Sequence, residues 1–291
     1  MKTHRAIVAL LSAALLICAV GCDTAQPDEV DTNASEDVAL SVLTLVSEDT
    51  GGLLDQVSDV FDLAAAGSIP AQTTALASKH ADADSVVERT YDEATGTWTI
   101  SIERERGTPD GPRYMRISRV YQVQFLNADG VPQQFFVTDA DTAHSINFTI
   151  VEGSGSLETP HLSAERTNIT GQWVATGVNT DQVTVNGTYG RSGAHTLTTH
   201  NAVRTLDYGL AVEVVDLVGP RGSRRHLAQK VSGTIHGTYE GKATFTRGNL
   251  YRERDISRTV TIVIENGEAT ITVNGEPFGG NVQTGDAAMN P

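Results

Sequence analysis

The chain has 291 residues, 39% hydrophobic, 5% aromatic and 20% charged, and its 36 acids against 21 Lys plus Arg give a net charge of −15. That length suits one large all-β domain or two smaller ones, and the composition argues against wholesale disorder. Such an acidic chain is a poor partner for nucleic acid or for anionic lipid headgroups.

Lys2 and Arg5 form a short positive region ahead of an almost unbroken apolar run, Ala6 to Val20. About 15 residues make about 22 Å of helix, short of a bilayer core of about 30 Å, so the run reads as the apolar part of a signal peptide. It ends in Ala19-Val20-Gly21-Cys22. These residues resemble the lipobox of bacterial lipoproteins, where small residues precede a Cys that receives lipid before cleavage. Leu is commonest at the position of Ala19. The resemblance implies a signal peptide over 1–21, lipidation at Cys22 and a membrane partner held through that lipid at the bacterial cell envelope. An ordinary secretory signal cut near Gly21 is the alternative. The chain's other cysteine, Cys18, would leave with the signal. A lipidated Cys22 then leaves no thiol nucleophile, disulfide or Cys-ligated metal.

Residues 22–78 carry eleven acids and no Lys, Arg or His. The stretch 22–34, with Pro27 and little apolar content, reads as an acidic flexible tether. Asp23 resembles an inner-membrane retention signal, and Asp28-Glu29 resembles a surface-export signal, so the periplasmic and cell-surface faces both stay open.

Residues 35–67 read as helical. Ser35 is placed as an N-cap, with Val38, Val42, Leu45 and Val46 at helical spacing. Gly51-Gly52 breaks the pattern. A second helix then shows Leu53, Val57, Val60, Phe61 and Ala64 on one face, with Asp55, Asp59 and Asp62 expected outward. Residues 68–85 read as a loop.

From Val86 the period changes to two. Trp98, Ile100 and Ile102 alternate with Thr97, Thr99 and Ser101, so Trp98 is expected in the core. Met115, Ile117, Tyr121, Val123 and Phe125 share the face of one long strand, interrupted by Arg119. Similar runs recur to Val273. Hairpin loops are expected at Asp92–Gly96, Gly107–Pro112, Asn127–Gly130 and Gly153–Gly155, and most strongly at Asn266-Gly267. Val183-Thr-Val-Asn-Gly187 repeats as Ile271-Thr-Val-Asn-Gly275 without a fixed period.

These signals predict a mainly β domain over 86–278, a curved antiparallel meander forming a barrel, half-barrel or sandwich, with one or two short helices before it and a frayed tail over 279–291. Strands about 4.8 Å apart make a sheet of a dozen strands wider than ~50 Å, which two helices cannot cover unless it curls. The order of lipid anchor, helices and meander is similar to the carrier and receptor folds of the outer-membrane lipoprotein pathway, whose bent sheets enclose an apolar interior.

Candidate chemistry is sparse. The densest basic spot is Arg221, Arg224 and Arg225 with His226, suited to a phosphate or an acidic glycan. Arg247, Arg252, Arg254 and Arg258, with Tyr251 among them, form another, set against cross-strand pairing with Glu240, Glu253 and Asp255. Asp139 and Asp141 lie near Asn127 and Asp129 but belong to no twelve-residue calcium loop. His195 and His200 point to opposite faces of a regular strand, and His144, His161 and His236 read as surface residues. There is no nucleophile elbow, phosphate loop or dinucleotide fingerprint, and nothing calls for a metal or cofactor. Three readings follow: an envelope lipoprotein with a non-enzymatic binding or structural β domain, a carrier or receptor for hydrophobic or lipidated cargo, and an envelope glycan hydrolase.

Overall fold

The computed structural model describes residues 29–66, 83–138, 141–198, 200, 202–221 and 226–288. Two helices, α1 (Glu29–Val46) and α2 (Leu53–Ala66), come first. The strands are β1 (Ala83–Asp92), β2 (Thr97–Gly107), β3 (Tyr114–Leu126), β4 (Pro132–Gln133), β5 (Ser145–Glu158), β6 (Leu162–Thr176) and β7 (Gln182–Thr198). They continue as β8 (Val203–Pro220), β9 (Ser232–Arg247), β10 (Leu250–Glu265), β11 (Glu268–Val273), β12 (Glu276–Asn281) and β13 (Ala287–Ala288).

Each strand pairs antiparallel with its sequence neighbour, save that β4 hangs on β3 and β3 runs on to β5. The end strands β1 and β13 do not pair with each other. The fold is thus the predicted mainly β, curved meander preceded by two helices, and its sheet is open.

Local chemistry explains the turns. Asp92 Oδ1 accepts the Ala94 N–H at 3.0 Å, and Asn127 Oδ1 accepts those of Asp129 and Val131 at 3.0 and 2.9 Å. Asn266 and Gly267 take φ of 51° and 91°, the left-handed pair that a two-residue hairpin needs. The hairpin expected at Gly153–Gly155 is absent. Those residues lie inside β5, beside a bulge where the register of β3 slips between Val120 and Tyr121. Small residues there relax the pairing of two long strands without reversing the chain.

The helices fill the concave side. α1 packs against β11 and β12, and α2 against β5 and β7. Positions 53–64 of α2 are all buried, because the helix is enclosed by the curled sheet and does not lie along its rim. Asp55, Asp59 and Asp62 are therefore buried, contrary to the outward placement expected from the apolar stripe.

Three boundaries also move. α1 starts at Glu29, inside the stretch read as tether, so Ser35 lies within the helix and does not cap it. The sheet begins at Ala83, inside the stretch read as loop. Residues 279–288, read as tail, carry the end of β12 and all of β13. They are tied down because Glu48 and Asp49 donate their backbone N–H groups to Val282 and Gln283 carbonyls at 2.9 and 2.8 Å. Gly280 lies so close to Leu43 of α1 that any side chain there would collide with it.

Trp98 is buried as predicted, tilted against Tyr91 at 4.9 Å, and its Nε1 donates to the Gln134 carbonyl at 2.8 Å. Thr97 and Thr99 are half-buried.

Candidate functional site

The concave face carries charge as well as apolar surface. β2 presents Arg104, β3 Arg119, β6 Arg166 and β7 Arg191 with His195, all buried. The interior is therefore not the apolar lining that the carrier analogy implied. Each arginine occupies a core-facing position of an alternating strand, where the pleat alone directs it inward.

Two arginines meet the acids of α2. Asp55 and Asp59 are four residues apart and so share one helix face. Arg119 Nη1 donates to Asp55 Oδ2 at 2.7 Å, and Arg104 Nη2 to Asp59 Oδ1 at 2.7 Å. Tyr121 Oη donates to Asp59 Oδ2 at 2.8 Å, and Arg119 Nη2 reaches the Gly51 carbonyl at 2.9 Å. Burial works against the Arg119 cation, but Tyr121, Asp55 and Asp59 together outweigh it. The same balance, with Asp59 foremost, favours the Arg104 cation. Burial drives the Tyr121 phenol well above its ordinary pKa, so it stays a donor.

From Tyr121 an aromatic row runs across the strands. Tyr121 contacts Phe148 at 4.5 Å, Phe148 stacks on Trp173 at 5.7 Å, and Trp173 on Tyr189 at 6.1 Å. Tyr189 Oη receives Gln56 Nε2 at 3.1 Å and Arg191 Nη1 at 3.2 Å. Beyond it lie Arg166, His195 and Tyr208, with the His195 and Tyr208 rings 4.9 Å apart. Arg166 Nη1 donates to the Gly51 carbonyl at 3.3 Å. Burial, then the neighbouring Arg191, pushes Arg166 down to about 9. Burial and the two arginines hold His195 well below its ordinary pKa, so it is neutral near pH 7.

Of the residues singled out in the sequence, His195 belongs to this buried cluster. Cys22, Arg224, Arg225 and Asp139 fall outside the described residues. Arg221 has an internal role: its Nε donates to the Ala64 carbonyl at 3.0 Å, at the C-terminal end of α2, and its guanidinium lies 5.0 Å over Phe136. A cation there also suits the helix dipole. Beside the second basic stretch, Lys242 donates to Glu253 at 2.6 Å, and Tyr251 donates to the same carboxylate at 2.8 Å. His144, His161, His200 and His236 are exposed, whereas His195 is buried. Among the described residues no cluster of three His, Cys, Asp or Glu is placed to hold a metal ion.

A shallow groove of about 280 Å³ on the sheet, lined by Thr170, Gly190, Arg191, Gly209 and Glu240 among others, is separate from the α2 cluster. Comparison of the chain with protein-family models, curated proteins and solved structures finds no match.

Proposed function

We infer that this is a lipid-anchored protein of the bacterial cell envelope whose β domain works as a rigid binding or structural body. The anchor rests on Ala19-Val20-Gly21-Cys22 after the apolar run. The single observation that favours a rigid body over a carrier of hydrophobic cargo is that α2 occupies the concave side and is buried all round. Its hydrophobic residues Leu53, Leu54, Val57, Val60, Phe61 and Leu63 each contribute about 1.5–3 kcal/mol of burial and would have to be displaced for an acyl chain to enter.

The glycan readings draw less support. An aromatic platform for sugar rings needs Trp98 exposed, and it is 8% exposed. The neighbouring carboxylates of Asp55 and Asp59 are committed to Arg119, Arg104 and Tyr121 inside the fold.

Metabolic labelling with a palmitate analogue tests the anchor. The wild-type protein should be labelled and sediment with membranes, and Cys22→Ala should be unlabelled and unprocessed. Cleaved, membrane-bound Cys22→Ala protein would defeat lipid attachment as the anchor.

A further inference from the structure

On the concave face of β6, β7 and β8, strand register sets Arg166 opposite Gly193, and Gly193 opposite Tyr208. Arg191 and His195 stand two residues to either side of Gly193 on β7, so the pleat turns them to the same face. Gly193 thus lies bare at the centre of four polar side chains. A Cβ there would collide with the Glu165 carbonyl and stand 2.8 Å from Tyr208 Oη. The glycine lets these large groups close over the strand.

Much of their hydrogen-bonding capacity is unused. Arg166 Nε and Nη2, Arg191 Nε and Nη2 and His195 Nε2 are all buried without a well-formed hydrogen bond, and the buried Tyr208 hydroxyl interacts with Arg191. The Arg119–Asp55 and Arg104–Asp59 pairs are different, because there each cation meets a carboxylate. The charges that weigh against Arg166 are those of Arg191 and Arg119, both cations. Among the described residues no carboxylate pairs with either guanidinium, and cations buried without an anion are among the least favourable arrangements a protein interior can hold.

Their geometry is that of a receptor. A guanidinium offers a fork of N–H donors that matches the two oxygens of a carboxylate or phosphate. A phenol, and an imidazole protonated at Nε2, add single donors from the sides. We propose that Arg166, Arg191, His195 and Tyr208 form an internal site for a small oxyanion, bridged between the two guanidinium groups over Gly193. Because these four side chains are all buried, the occupant is a free ion and not the headgroup of a larger molecule. This goes beyond the envelope reading and does not depend on the anchor.

The test uses the full chain, unfolded in urea and refolded in dilute Tris chloride so that the interior is open to each added ion. Inorganic phosphate, sulfate and acetate are compared with chloride at equal ionic strength. At a hundredfold excess over the dissociation constant, one or more of the oxyanions should raise the wild-type Tm by about 5–10 °C. Arg166→Met and Arg191→Met should each abolish most of that rise. A wild-type Tm the same in every oxyanion as in chloride, or an undiminished rise in the Arg166→Met/Arg191→Met double variant, would overturn the site. Should the variants fail to fold, wild-type protein alone decides. Exchange broadening of phosphate or sulfate signals, or saturation transfer from protein to acetate, supports binding, and its absence for all three ions refutes it.

Discussion

Two buried arginine pairs sit on one curved sheet and differ in what faces them. Arg104 and Arg119 meet Asp55 and Asp59 of α2 at 2.7 Å, and Tyr121 closes the network. Arg166 donates to a backbone carbonyl and Arg191 to a tyrosine hydroxyl, and the Arg191 charge disfavours the Arg166 cation. The first pair is neutralised by the chain itself, and it fixes the rotation and depth of α2 within the sheet. Among the described residues the second pair has no carboxylate partner. Burial is common to both, so burial alone does not mark a binding site. The difference lies in whether the fold provides the counter-charge.

The largest expected effect comes from breaking the neutralised pair. Arg119→Met takes from the buried Asp55 its 2.7 Å guanidinium partner and leaves Arg104 at 3.5 Å, and should cost about 3–5 kcal/mol in urea denaturation. Arg119→Met/Asp55→Asn should recover part of that loss. No recovery in the double variant would mean that the pair does not act as a unit.

A core site without an ion pair sets the scale. Trp98→Ala should cost about 3–5 kcal/mol by leaving a cavity, while Thr99→Ser on the opposite face should be nearly neutral. Wild-type stability of Trp98→Ala would remove Trp98 from the core.

A smaller effect sharpens the second pair. His195 is held below its ordinary pKa by burial and by Arg191 and Arg166. Below its unfolded pKa of about 6.5, the unfolded chain binds a proton that the folded chain excludes, so stability falls as pH falls. Above that value the folded state keeps the full benefit. The slope below pH 6.5 should reach up to about 1.4 kcal/mol per pH unit from this group. His195→Gln should flatten that branch of a stability–pH profile, and an unchanged profile would show that His195 protonates freely in the fold.

How much of this was legible in the sequence follows the same division. Alternation from Val86 onward and Asn266-Gly267 were enough to read the meander, because pleat and turn chemistry are local. Arg119 stood out as the one charge on an apolar face, yet its meaning required Asp55, which comes 64 residues earlier. The stripe of α2 suggested a single buried face, because a period of 3.6 cannot tell a helix lying on a sheet from one enclosed by it. Val-Thr-Val-Asn-Gly at 183–187 and Ile-Thr-Val-Asn-Gly at 271–275 look alike. Asn274-Gly275 turns between β11 and β12, while Gly187 adjoins a bulge inside β7. Gly193 and its four neighbours were invisible, since three strands supply them and only the register brings them together.

The contrast between the two pairs is tested most directly by comparing Arg191→Met with Arg119→Met in urea denaturation, in dilute Tris chloride without oxyanions. Arg119→Met should be strongly destabilised, whereas Arg191→Met should match or exceed wild-type stability, because it removes a cation that no carboxylate among the described residues pairs with and keeps the apolar stem. A loss of about 3–5 kcal/mol in Arg191→Met, equal to that in Arg119→Met, would show that the fold already neutralises Arg191 and would contradict the account.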